Sequence, residues 1–425
     1  MLRRLWISIF IIGMLLLWAS VGFSGVTLKA LMEDVPETRI IEKLLPDFEA
    51  KTGIKVQFEI VQYSDMHAKL VPQLMSPNCQ YDFLEVDNYW AGEFPAAGWL
   101  LDLGKYVKKD NFDISVYLPS MLKMVGYYKN KLYMIPMYNY AMGLIYRKDL
   151  LNNPELKEKW KKEYGTELAL PNSVEGYVKL AAFMQKNAGV YGSAMQAQRG
   201  DPIVMEWCNY LFSVGGDFYD ENWKPIINND KGIKAVELYK KALKEAAPPG
   251  ALSFNLDDSF RVMSQGKAFS MITYNWMLAQ LDDPNSSKVA GKVALAPMPG
   301  GVGLNGGWGW AIPKNSAHKK EAWEFIKWVE SFDIAKKRAL AGGAPTRVDI
   351  FHDKDVLSKY PWYKDVEKLL AKAKPVPEFQ YSAQMIEVTG RELSLACAGQ
   401  KDTKKALDRV AKELAKLAKQ AGLSK

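Results

Sequence analysis

The chain has 425 residues, 48% hydrophobic, 12% aromatic and 24% charged, with 56 Lys and Arg against 48 Asp and Glu. That balance is too apolar for a disordered chain and too charged for a multi-span membrane protein. The length predicts two or three domains, each with a core of its own. Cys79, Cys208 and Cys397 lie more than a hundred residues apart with no C-x-x-C, and only His67, His318 and His352 could join them as metal ligands. Zinc and haem signatures are therefore missing, and no metal or cofactor is expected.

Residues 1–24 read as a secretory signal. Arg3 and Arg4 precede an uncharged apolar run from Leu5 to Ala19, and Ser20, Gly22 and Ser24 follow. A basic start, an apolar stretch and small residues at −3 and −1 predict cleavage after Ser24. No Cys stands at the junction to carry a lipid, so the expected product is exported, periplasmic or extracellular, and unanchored. Cleavage leaves a net charge of +6, of which +5 falls within Lys401–Lys425. The body is thus close to neutral, which argues against a nucleic-acid partner. The basic tail instead predicts a docked helix: Leu407, Val410, Leu414, Leu417 and Ala421 form one apolar stripe, with lysines on the other face and Gly422 at the stop.

The remaining elements alternate in type. A strand is predicted over Val26–Met32, a helix over Thr38–Lys51 ended by Gly53, and a strand over Ile54–Val61. Tyr81–Val86 reads as a short buried strand before an aromatic loop. After Leu144-Ile145-Tyr146 the pattern recurs, with helices near Val174–Asn187, Met205–Val214 and Lys231–Glu245 and a buried strand at Ala268–Thr273. Such spacing predicts a parallel sheet covered by helices. No low-complexity linker separates the halves. Tyr133–Tyr138 and Ala296–Gly301 read as structured crossings between two α/β lobes, the arrangement of a hinge-closing protein.

Several phrases resemble the extracellular solute-binding proteins of ABC transporters, in the carbohydrate branch that includes maltose-, polyol- and glycerol-phosphate-binding proteins. They are PDFEAKTGIKV (Pro46–Val56), NKLYMIPMYNYAMGLIYRKDLL (Asn130–Leu151), SMITYNWML (Ser270–Leu278), NGGWGWAIPKNSAHKKEAWEFIKWV (Asn305–Val329) and GAPTR (Gly343–Arg347). The resemblance implies an α/β, two-lobed periplasmic-binding-protein fold with three interlobe crossings and a ligand cleft between the lobes. Crossings are expected near Met134–Tyr138, Pro297–Gly303 and Asp353–Tyr360. They divide the chain into an N-terminal lobe, residues 25–136 and 300–352, and a C-terminal lobe, 137–299 and 353–425. The implied protein is a monomeric receptor that captures a sugar, oligosaccharide or polyol and delivers it to the transmembrane subunits of an ABC permease, with an ATPase on the far side.

Polyols present hydroxyls along an edge and C–H groups on a face, so their sites need planar polar side chains and aromatic rings. Open α/β sheets place such groups on loops after strands. The first candidate is Asp34, with Glu33 beside it, although charge at a helix start has a structural use too. Asp87 and Asn88 could pair with one diol, with Trp90 as a wall; an Asx-turn is the competing reading. Tyr138 and Asn139 lie at the first crossing. Gln198 and Arg199 belong to a loop that the resemblance places against ligand, where Arg199 would suit vicinal hydroxyls or an anion. Asn275 and Trp276 follow a strand, and the resemblance implies a Trp stacked on a sugar ring there. Gly307 would let backbone approach the ligand and Trp308 would cap it, with Arg347 and Tyr381 as further candidates.

Two rival functions are defined by the same residues. A receptor for a phosphorylated or otherwise anionic polyol is favoured if Arg199 or Arg347 faces the cleft without a carboxylate partner. An exported polysaccharide-degrading enzyme would also want an aromatic, acidic cleft, but no G-x-S-x-G, H-E-x-x-H or His cluster is present, so no catalytic residue is assigned.

Overall fold

The computed structural model describes residues 25–424, so the predicted signal segment lies outside the described residues. Among the described residues nine strands are present: β1 (Thr27–Glu33), β2 (Lys55–Val61), β3 (Phe83–Asp87), β4 (Tyr127–Tyr128), β5 (Lys131–Leu132), β6 (Ile135–Arg147), β7 (Ser270–Tyr274), β8 (Val293–Ala296) and β9 (Asn305–Ala311). Seven of them form one sheet in the order β2-β1-β3-β9-β6-β7, with β8 also on β6. Two lobes of this sheet, each covered by helices, share β6.

Local chemistry sets the element boundaries. Pro36 opens the helix Pro36–Thr52, where its missing N–H is no loss, and Gly53 closes it at φ 73° with its N–H on the Glu49 carbonyl. The C-terminal helix Thr403–Gln420 starts on Asp402, whose side chain accepts from the Lys405 N–H. Its stripe docks as the periodicity requires: Leu407, Val410 and Leu414 are buried, and the Tyr219 hydroxyl donates to the Leu414 carbonyl at 3.0 Å. Trp310, Trp323 and Trp328 belong to the core, where Trp310 packs with Phe83 and Phe325.

The sheet differs from the expected parallel one. β1 is parallel to β2 and β3, but β9 enters antiparallel between β3 and β6, and β7 and β8 flank β6 antiparallel. β9 arrives from more than two hundred residues downstream of β3, and local spacing carries no trace of such a return.

The crossings also differ. β6 runs unbroken for 13 residues. Its first half, Ile135–Ala141, pairs with β9, and from Met142 onward it pairs with β7, joined by β8 from Leu144. The partner change thus lies between Ala141 and Met142, beyond the expected Met134–Tyr138. Beside this point Lys374 bridges to Leu304 and exchanges backbone hydrogen bonds with Gly303 and Asn305. In residues 353–360, Lys336 pairs with Asp353 at 2.9 Å and Lys359 donates to the Leu340 carbonyl, docking that helix on Phe332–Leu340. Amphipathic periodicity says that a helix docks, not on which neighbour.

Below the sheet lies a buried ionic network. Arg338, 4% exposed, donates to Glu37 at 2.7 Å, to Glu330 at 2.6 Å and to the Met137 carbonyl of β6 at 2.7 Å. Glu37 also accepts from the Ala344 N–H, and Glu330 from the Trp310 indole. Removing the guanidinium would leave two carboxylates buried without their counter-ion. Arg338→Met is therefore expected to lower stability by about 3–5 kcal/mol, read as a lower urea midpoint at unchanged slope; an unchanged midpoint would contradict this role.

Candidate ligand-binding cleft

A cavity of about 640 Å³ opens where β6 changes partners. Its walls come from the ends of strands. β1 supplies Glu33 and leads to Asp34, β2 leads to Gln62 and Tyr63, β3 ends in Asp87 and leads to Asn88 and Tyr89, and β7 ends in Tyr274 before Trp276. The floor is Tyr140 of β6 with Gly306, Gly307 and Trp308 of β9. The opposite wall carries Gln196, Gln198, Arg199 and Asp201, then Asn255, Asp257 and Phe260 from the start of the helix Leu256–Ser264. Asn255 accepts from the Asp258 N–H and Asp258 from the Asn255 N–H, a reciprocal cap that fixes this corner.

Aromatic rings pass through the site in contact. Trp276 lies 5.5 Å from Tyr140, Tyr140 stacks on Tyr138 at 4.7 Å, and Tyr138 is 5.9 Å from Trp308. Tyr63 is backed by Trp90 in parallel stacking at 5.8 Å. The indole N–H of Trp276 is buried with no partner.

Carboxyl groups dominate the electrostatics. Burial, reinforced by the nearby charge of Asp87, pushes Glu33 up to about 8. Burial likewise raises Asp87 to about 7, against the opposing hydrogen bond from the Tyr63 hydroxyl at 2.7 Å. Asp201 is raised to about 7 by burial, and its Oδ1 has no hydrogen-bond partner. Behind Glu33 the Tyr138 hydroxyl lies 3.4 Å from both Glu33 and the buried Glu85. The rim is different: Asp34 pairs with Arg39 at 2.9 Å, and Arg199 with Glu387 at 3.3 Å, both exposed.

Of the residues chosen from sequence, Asp34, Asp87, Asn88, Gln198, Arg199, Trp276, Gly307 and Trp308 line this cavity. Two of them carry structural duties as well. Asp87 accepts from the Tyr89 N–H as a cap, and Asn88 joins the Gly307 N–H to Glu378, each at 3.2 Å. A Cβ on Gly307 would meet the Met121 methyl at 2.3 Å and the Tyr138 carbonyl at 3.0 Å, so a larger residue there would displace the flexible Met121 side chain.

Six others do not line it. Asn139 projects from the face of β6 opposite Tyr138 and Tyr140 and donates to the Pro345 carbonyl. Tyr138 is fully buried beneath Tyr140, and Trp90 is buried behind Tyr63. Asn275 accepts from the Ala141 N–H at 2.9 Å and extends the β6–β7 pairing. Arg347 is held by Asp349 at 2.6 Å and by the Glu330 carbonyl at 2.8 Å, in the ionic network. Tyr381 packs edge-on to Phe379 before the helix Ser382–Cys397. Residues not selected from sequence include Tyr63, Tyr89, Asp201, Asn255, Asp257 and Tyr274. Asp201-Pro202 at a helix start and the Asn-x-x-Asp cap at Asn255 were the available signals.

Comparison with known proteins places this architecture. Residues 33–333 match the model of the bacterial extracellular solute-binding proteins. The chain belongs to that family. A ribitol complex of an ABC transporter solute-binding protein from Agrobacterium radiobacter K84 superposes with a TM-score of 0.84 at 28% identity, covering 93% of this chain and all of the other. The mannitol-binding protein of Pseudomonas aeruginosa is 24% identical over 91% of this chain and 90% of its own. A probable amino-acid ABC transporter periplasmic-binding protein of Sinorhizobium fredii is 25% identical over 80% and 77%. These relatives of the solute-binding protein are binding proteins by name. Among the described residues no helix is long and apolar enough to cross a membrane.

The raised carboxyls make a pH prediction. Each folded-state value lies above its unfolded one, so the stabilisation is complete below about pH 4 and is lost as pH rises through about 7 to 8. The melting temperature of the ligand-free protein should fall between pH 5 and 8, with a shallower fall in Glu33→Gln. A melting temperature that rises across this interval would contradict the assignment.

Proposed function

We propose that this solute-binding protein is the receptor of an ABC importer for a sugar or polyol, bound in the cleft beside β6. The observation that carries the reading is the pairing of surfaces in one cavity: it is lined both by the aromatic rings of Tyr140, Tyr274, Trp276 and Trp308 and by carboxyls and the amides of Gln196 and Gln198. C–H faces and hydroxyl edges of a polyol match these two surfaces. The volume suits a small ligand, within the roughly 300–1,000 Å³ of such sites. A relative named for mannitol binding and a similar structure in complex with ribitol support the same class.

The anionic alternative is disfavoured because Arg199 and Arg347 both have carboxylate partners and the cavity itself is acidic. Catalysis is not proposed: the carboxyls hydrogen-bond and orient a ligand in this reading. Ligand contacting both walls would shift the population toward a closed form, with the lobes divided at Ala141, Leu304 and Lys374. A permease recognising that form, a monomeric state and export through residues 1–24 complete the proposal.

A thermal-shift panel of residues 25–425 with sugars, polyols, their phosphates and amino acids tests it. Stabilisation by neutral polyols or sugars is expected; a response confined to phosphates or amino acids would overturn the class. With the ligand so found, Trp276→Ala should weaken binding by about 1–3 kcal/mol in calorimetry. Unchanged affinity would remove Trp276 from the site.

A further inference from the structure

Five carboxyl-bearing residues line the cleft, against a single basic one. The rim pairs cancel: Asp34 is matched by Arg39 and Arg199 by Glu387. Glu33, Asp87, Asp201 and Asp257 are left without an ion-pair partner among the described residues, and no lysine lines the cavity. These groups come from both sides. Glu33 and Asp87 end strands on one wall, whereas Asp201 begins the helix Asp201–Ser213 on the other. Closing the lobes therefore brings these carboxyls together in a place that excludes water, which is unfavourable unless they keep their protons or something positive enters with the ligand.

Two further observations bear on what enters. Asp201 Oδ1 is buried at the cavity with no hydrogen-bond partner. Tyr140, Tyr274 and Trp276 line the same cavity as aromatic walls, each of the last two within 5.5 Å of Tyr140. Carboxylates combined with aromatic faces are the chemistry that holds an organic cation. A metal ion is a poorer fit, because among the described residues no three acidic, His or Cys side chains converge closely enough to hold one; the carboxyls surround a space instead of meeting at a point.

We propose that the ligand is a polyhydroxylated molecule carrying a protonated amine, an amino sugar or amino polyol, whose ammonium group is held by Asp201 with Glu33 and Asp87. This rests on the polyol reading and narrows it to a cationic member of the class. The hydroxyls take the amides and the aromatic faces, and the ammonium supplies the counter-charge that closure requires.

The test is calorimetry of residues 25–425 at pH 7 with matched pairs: sorbitol and 1-amino-1-deoxysorbitol, glucose and glucosamine, ribitol and its 1-amino analogue. In at least one pair the amine is expected to bind tenfold or more tightly than its neutral partner, with an affinity that falls as salt is raised. Asp201→Asn should then reduce the amine's affinity at least fivefold more than the neutral partner's. Neutral partners binding as well as or better than amines in every pair would overturn the cationic ligand and leave the polyol reading standing. Equal loss for both partners in Asp201→Asn would overturn the assignment of the ammonium to that carboxyl. No binding by any member of the six would overturn both readings together.

Discussion

Everything in this protein is arranged around one continuous strand. β6 changes partners from β9 to β7 and β8 between Ala141 and Met142. Leu304, Asn305 and Lys374 are hydrogen-bonded through their backbones beside that point. Backbone hydrogen bonds thus run without a break along this line. Tyr140, beside the switch, lines the floor of the cavity.

The cleft gathers groups that a folded protein would otherwise avoid. Strand ends bring Glu33 and Asp87 to the wall of the cavity, and a helix start brings Asp201 to it. Burial raises their affinity for protons, and none of the three has a cation beside it. The ionic network around Arg338 shows the contrast: there two buried carboxylates, Glu37 and Glu330, share a guanidinium with all partners in place. One cluster has its counter-ion within the protein, and the other has none among the described residues.

Much of the scaffold was legible in the sequence, because it follows from local rules. Helical periodicity located Val174–Asn187 and the C-terminal stripe, and Gly53 marked the end of the first helix. The length of β6 was not legible, because Pro136 sits within it where the β6–β9 register shifts, an irregularity that tolerates a missing N–H. Strand parity decided the site residues there: Asn139 and Tyr140 are adjacent in sequence and lie on opposite faces, so a loop-like reading of the segment could not choose between them. Trp90 was placed after a strand correctly, but its partner ring, Tyr63, comes from another strand end, and that contact hides it. Asp201 was missed because nothing in Asp-Pro at a helix start distinguishes a cap from a buried acid.

The claim at the centre of this account is that ligand is held between lobes that bend about β6. Small-angle X-ray scattering of residues 25–425, with and without a saturating sugar or polyol, tests it most directly. The account predicts a smaller radius of gyration on binding, at one ligand per chain. Tight binding with an unchanged scattering curve would contradict it.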